Sequence, residues 1–370
     1  MPMRPLYISA TEQNSGKTTF ICGLYQILRK KHLDAGYFKP VGQRYVRYKD
    51  QNVDKDAVLF LDAFNLPDDP HVVSPIAIEH DFTAKFIMNP DVSSLEAEIL
   101  KCGKILSEAH PAMIIEGTGH AGVGSCFGLS NARVAQMLGA DVIIVTTGGI
   151  GRPLDEVALS LSLFRAHNVN VAGVVFNRVI PEKLDKIRSI AGKGLELLGT
   201  KLLGAIPFAP LMSYCTMQQV AREFKYKAIC GENELSNRIE HTVVGAMEAE
   251  NLLQYLQPNT LIITPGDRVD NILLAMALSR HGNEEGRSIA GLILTGGLRP
   301  QSPTIFFPLC KSGIPVLLSD DDTFTVSAGM KEFIPKICAQ DSDKIKTIPE
   351  LVSKYVDIDQ IDNLMLGKHS

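Results

Sequence analysis

The chain has 370 residues, a length that suits roughly two or three domains, and 45% of them are hydrophobic, enough to fill the cores of that many. A formal net charge of −4 leaves no electrostatic footprint for a polyanion, and no apolar run reaches the about 18 residues of a membrane span, so neither nucleic acid nor membrane is an expected partner. The start, Met-Pro-Met-Arg-Pro, leads at once into a strand, so no signal peptide is expected. The seven scattered cysteines form no Cys-x-x-Cys and read as buried thiols of a reduced, cytoplasmic chain.

In chain order, the apolar run from Leu6 to Ile8 predicts a strand. The loop Thr11-Glu-Gln-Asn-Ser-Gly-Lys-Thr-Thr19 follows, and Phe20, Leu24, Ile27 and Leu28 then recur at helical spacing. Strand, loop, Gly-Lys-Thr and helix is the context of a phosphate-binding loop. Backbone N–H groups from Thr11, Glu12, Asn14, Ser15, Gly16 and Thr19 would cradle the anion. Lys17 would reach the β- and γ-phosphates, and the Thr18 hydroxyl would ligate Mg²⁺. Thr11 stands where the common pattern has its first glycine. Arg29-Lys-Lys31 reads as a solvated helix end rather than a binding patch.

Ala35 to Val41 predicts a second strand with Lys39 near its C-terminal end, the ligand edge of a parallel sheet; a surface lysine before a proline is the plainer alternative. Asp54 to Asp62 reads as a helix start. Asp56 there is either a water-mediated Mg²⁺ contact or a helix-end acid. Four prolines make residues 65–100 an irregular, substrate-side insertion, with a helix over Ser94–Leu106. An apolar strand then ends in Glu116, the expected second metal contact, and runs into a loop with glycines at 117, 119, 122 and 124. In that loop His120 either donates to a substrate carboxylate or phosphate or is an inert loop histidine, the commoner case.

Asp141–Thr146, Val171–Asn177 and Leu202–Pro207 predict strands, separated by helices over Pro153–His167 and Pro181–Leu198. This alternation implies an α/β fold, a doubly wound, mainly parallel sheet. In the Pro153–His167 helix, Leu154, Val157, Leu161 and Phe164 make one face, while Leu159 and Leu163 widen the apolar arc. That width fits burial on more than one side, as at a two-fold interface.

These residues carry a family resemblance. Ala10-Thr-Glu-Gln-Asn-Ser-Gly-Lys-Thr18 resembles the P-loop of dethiobiotin synthetase and its cobyrinic acid a,c-diamide synthase relatives, Gly-Thr-Asp-Thr-Glu-Val-Gly-Lys-Thr. Lys39-Pro-Val41, Asp56-Ala57, Glu116-Gly117 and Asn177-Arg-Val179 match in order, over roughly residues 4–210. The resemblance implies ATP and Mg²⁺ as cofactors, Lys39 on the acceptor, Asn177 on the adenine edge and Pro207 lining the base pocket. Ala10 and Asn14 depart from the family's glycine and acid, and Glu12 stands where Min-type relatives carry a signature lysine.

Ile262-Ile-Thr-Pro-Gly-Asp-Arg-Val-Asp270 and Gly291-Leu-Ile-Leu-Thr-Gly-Gly297 resemble the two signatures of the DRTGG domain, a second, smaller α/β unit. Asp267, Arg268, Gly296 and Gly297 there either form a small effector pocket or are two tight turns with Asp267 and Arg268 ion-paired. The expected organisation is 1–212, a P-loop NTPase domain; 213–340, DRTGG; and 341–370, a tail. That order resembles the N-terminal half of long phosphotransacetylases, with the tail like the segment leading into their catalytic domain. Since the sequence stops at Ser370, acetyl transfer is not expected of it. Two functions stay open. One is a nucleotide-dependent regulatory or sensor protein responding to a small-molecule effector, which we favour because of the DRTGG unit. The other is an ATP-dependent ligase activating a carboxylate or carbamate. Both parent families imply a homodimer.

Overall fold

The computed structural model describes residues 3–32, 34–281 and 288–368. They form two units, one of residues 1–209 with 337–370 and one of residues 210–336. In the first unit, six strands make one parallel sheet: β1 (Leu6–Ala10), β2 (Ala35–Phe38), β3 (Ala112–His120), β4 (Asp141–Thr147), β5 (Val171–Val179) and β6 (Leu202–Pro207). Their order is β6-β5-β4-β1-β3-β2. Helices alternate with the strands, so both faces are covered, which is why Val142 to Val145 read as an unbroken apolar run. The chain order reverses beside β1, and β1 feeds the phosphate-binding loop. That places the loop at the switch point of the sheet, where ligands of such folds bind.

Helix α1 (Lys17–His32) follows the loop and buries Phe20, Leu24 and Leu28. The predicted second strand breaks earlier than expected. Pro40 has no N–H for the ladder, and Val41–Gly42 pairs separately with Ile76–Ala77. Next comes a hairpin the hydrophobic pattern did not announce, Tyr45–Tyr48 against Gln51–Asp54. Its two-residue turn has Lys49 and Asp50 at φ 45° and 62°, positive at both positions as the twist of a hairpin requires.

The stretch 65–100 is not irregular. After α2 (Lys55–Ala63) come α3 (Pro70–Val73), a short helix over Phe82–Met88, and α4 (Val92–Ala109). The prolines sit at helix starts and in links: Pro70 opens α3, with Asp69 as its cap. Farther on, α5 (Gly151–Ala166) buries Val157, Leu161 and Phe164 and leaves Leu159 74% exposed.

The second unit has a five-stranded sheet of β7 (Lys227–Cys230), β8 (His241–Val244), β9 (Thr260–Pro265), β10 (Ile289–Thr295) and β11 (Val316–Leu318), in the order β7-β11-β10-β9-β8. Only β7 runs antiparallel. Helix α6 (Val269–His281) crosses between β9 and β10 as the pattern predicted. One cysteine expectation is corrected here: Cys230 and Cys310, 80 residues apart with Cα atoms 4.7 Å apart, form a disulfide. Cys22, Cys102 and Cys215 are buried thiols outside any disulfide.

The segment expected as a tail is helical and belongs to the first unit. It carries α7 (Ser342–Tyr355) and α8 (Ile358–Met365). Gly23 in α1 lets α7 come close, since a Cβ there would lie 2.5 Å from Val352. Gln26 Nε2 donates to the Ile345 carbonyl at 2.9 Å, and the Arg4 amide to Met365 at 2.8 Å. Among the described residues, no helix is long and apolar enough to cross a membrane.

Candidate functional site: the P-loop and its carboxylate cluster

The loop between β1 and α1 is held from both sides. Thr11 is buried, its amide donating to Val145 and its hydroxyl 2.9 Å from that of Thr146. Ser15 is also buried and donates to the Glu12 carbonyl at 2.8 Å, tightening the loop on itself. Asn14 and Gly16 are left-handed, at φ 63° and 81°. Gly16 has a second reason to be glycine: a Cβ would stand 2.1 Å from Asn177 Nδ2. Its carbonyl accepts the first helical bond, from Phe20 at 3.0 Å, so Lys17, Thr18 and Thr19 form the first turn of α1. The remaining amides of that turn stand at a positive helix end.

Thr18 Oγ1 donates to Glu116 Oε1 at 2.8 Å. Glu116 is buried, and it lies inside β3 rather than at its end, because the strand runs on through Gly117 to His120. The opposite oxygen accepts from the Tyr37 hydroxyl at 2.9 Å. Lys39, 2% exposed, brings its ammonium to 3.3 Å from Glu116 Oε1 and 3.4 Å from Asp56 Oδ2, and donates to the Gly117 carbonyl at 3.1 Å. Asp56 is buried in the first turn of α2. Asp54 caps that helix, accepting from the amides of Asp56 and Arg44. One ammonium is therefore set among three buried carboxylates.

The titration shifts follow from that arrangement. Burial works against the Lys39 charge, but the Glu116, Asp56 and Asp54 carboxylates outweigh it and hold the ammonium well above the usual lysine range. Burial and the same carboxylates keep the Tyr37 phenol protonated, so it serves Glu116 as a donor. Burial raises the Asp54 carboxyl, with Lys39 opposing and Asp56 adding to the rise. Two oxygen acids and a hydroxyl are the donors a hard divalent cation takes, so Thr18, Glu116 and Asp56 fit Mg²⁺. The neighbouring ammonium partly neutralises that charge in the protein alone.

Other predicted residues lie elsewhere or do other work. Glu12 accepts from Arg152 at 3.0 Å and from the Thr147 hydroxyl at 3.3 Å. Asn177 is engaged with the loop: Nδ2 donates to the Ser15 carbonyl at 2.9 Å, and Oδ1 accepts from the Arg178 amide. An adenine edge would have to compete with those bonds. Pro207 ends β6, half-buried. Gly119 turns left-handed at φ 59°, and His120 is exposed, its Nδ1 accepting from Gly122 at 3.2 Å. Tyr37 and Asp54 were missed. Each stands two residues before a residue that was singled out, Tyr37 on the same strand face as Lys39 and Asp54 at the cap before Asp56.

In the second unit, Arg268 does not pair with Asp267, which is exposed. Its guanidinium grips Asp270 with two bonds, 2.9 and 2.8 Å, and donates to the carbonyls of Ala246 and Met247. Gly296 and Gly297 are left-handed and donate their amides to Asp321 and Ser319. Both signatures therefore lie in tight turns, and the expected Asp267–Arg268 ion pair is replaced by Arg268–Asp270.

Two family profiles match the chain, and they overlap between residues 219 and 246. The AAA domain family profile matches residues 4–246, and the DRTGG domain profile matches residues 219–333. Phosphate acetyltransferase of Nitratidesulfovibrio vulgaris is 28% identical over 375 residues, covering 99% of this chain and 52% of that protein. The Synechocystis phosphate acetyltransferase is 27% identical over 369 residues, covering 97% and 51%. The chain thus spans about half the length of the curated relatives it matches. A ParA family ATPase from Chlorobium tepidum aligns with 15% identity and a TM-score of 0.37, over 56% of this chain and 84% of that one.

Proposed function

The chain belongs to the AAA domain family, and from that premise we propose that its first unit binds Mg-ATP and that the protein is a nucleotide-dependent regulator or sensor. The observation that carries the reading is the gathering of Thr18, Lys39, Asp56 and Glu116 beside one phosphate-binding loop. In this reading the loop amides and Lys17 hold the phosphates. Thr18, Glu116 and Asp56 hold Mg²⁺, which neutralises phosphate charge when bound. Tyr37 fixes the orientation of Glu116, and Asn177 braces the loop through Ser15. The DRTGG domain fused behind, and the likeness to one half of phosphate acetyltransferase, support regulation through a small-molecule effector.

A ligase that activates a carboxylate or carbamate would use the same loop, with Lys39 on the acceptor. Lys39 is buried and engaged by two carboxylates, which favours the sensor reading. Phosphate release by the purified chain, with and without a panel of carboxylates and diamines, separates the two. A sensor binds ATP and ignores the panel; a ligase is stimulated by one member of it. Failure to bind Mg-ATP at millimolar concentration overturns both.

A further inference from the structure

Away from the P-loop, α3 and α4 bring three side chains of different donor type together. Glu98 and Cys102 lie one turn apart on α4 and so share a face. His71 faces them from α3, where Asp69 accepts from its amide at 2.8 Å and sets the turn. His71 Nε2 is 2.9 Å from Glu98 Oε1, and Cys102 Sγ is 3.6 Å from the same oxygen. The three ligating atoms all lie within 4.8 Å of one another. The group runs inward from an exposed histidine to a thiol that is 1% exposed.

We propose that His71, Glu98 and Cys102 form a binding site for one borderline transition-metal ion of the Zn²⁺ class. One imidazole, one carboxylate and one thiolate make a mixed set that such an ion takes, whereas Mg²⁺ and Ca²⁺ prefer oxygen alone. Around a tetrahedral ion with bonds of about 2.0–2.3 Å, neighbouring donors stand about 3.5 Å apart. The sulfur–oxygen distance already matches. The widest separation has to close by about an ångström, which turning the exposed His71 ring supplies. Three protein donors leave a fourth position for water. Lys101 competes, its ammonium 3.3 Å from both Glu98 oxygens, but it is on the surface and can swing away. The ion would pin α3 to α4. Because the Val73 carbonyl of α3 accepts from the Lys39 amide at 2.8 Å, it would also stiffen the backbone that carries Lys39.

The test uses the full chain, reduced, stripped of metal with a chelator and titrated with Co²⁺ in excess Mg²⁺. The expected result is one equivalent bound, with the charge-transfer absorption of a thiolate–cobalt bond, displaced by Zn²⁺. Cys102→Ser should abolish that absorption. His71→Ala, at an exposed position that spares the fold, should weaken uptake at least tenfold, and Lys101→Gln should tighten it. Absorption that survives Cys102→Ser, uptake unchanged by His71→Ala, or no uptake by the wild type each overturns the site.

Discussion

The Thr18 hydroxyl lies 2.8 Å from the Glu116 carboxylate, although 98 residues separate them in the chain. The bond joins the first turn of α1 to β3, the strand next to the P-loop strand. If those oxygens serve a metal beside the γ-phosphate, Glu116→Gln keeps the shape and removes the charge. Nucleotide binding should persist, and any phosphate release should fall by about tenfold or more. A variant that releases phosphate at the wild-type rate would take Glu116 out of the site.

Lys17 opens the helix that begins at the loop. Lys17→Ala should weaken Mg-ATP binding at least tenfold, about 1.4 kcal/mol. Calorimetry on the two proteins decides it, and equal affinities would sink the assignment.

Lys39→Met takes a buried ammonium from among three buried carboxylates. Breaking a buried ion pair on one side costs about 3–5 kcal/mol. The metal-free variant should therefore melt well below the wild type. Millimolar Mg²⁺ should restore more of its melting temperature than it adds to the wild type, because the ion takes over the neutralisation. Equal gains in both proteins would mean that Mg²⁺ does not reach these carboxylates.

His110 is clamped between Asp34 at 2.9 Å and Asp68 at 3.0 Å. Burial works against its charge, but the two carboxylates win and raise its pKa above the ordinary value. A raised folded pKa gives stability that is fully present below the unfolded value, about 6.5, and is lost as pH climbs through the folded value. The gap in melting temperature between wild type and His110→Asn should be widest near pH 6 and shrink toward pH 9. A gap that does not vary with pH would show that the imidazole is held neutral.

The homodimer implied by both family resemblances is a matter for light scattering. The wild type at micromolar concentration should run at twice the 40.4 kDa chain. Leu159 is the large apolar residue that α5 leaves most exposed, so Leu159→Glu should shift the protein toward monomer. The interface should bury over about 1,000 Å² in total. A dimer untouched by Leu159→Glu would keep the stoichiometry and move the contact elsewhere.

What could be read from the sequence was whatever is local or periodic. Gly16-Lys-Thr18 is contiguous, and Lys39, Asp56 and Glu116 stand at or near the ends of apolar patterns, so each announced itself. The Tyr37–Glu116 bond was hidden because a tyrosine in a buried strand looks like core. The Asn177–Ser15 bond was hidden because its acceptor is a backbone carbonyl, which no side-chain pattern marks. Pairing of Cys230 with Cys310 depends on β7 running against β11, a fact that lies in tertiary structure alone. The helices of residues 65–100 were obscured by prolines that begin or separate helices as readily as they break them.

The roof that α7 puts over α1 bears on how the chain is made. Gly23, Tyr25 and their neighbours on α1 emerge early in synthesis, while Ile348 and Val352, which cover Gly23, come only after the whole DRTGG domain. The second unit, contiguous from 210 to 336, can close on itself while the first still waits for its last two helices. During that interval the nascent chain carries an unroofed apolar helix next to its P-loop, so the first unit completes its fold only after the second has been made.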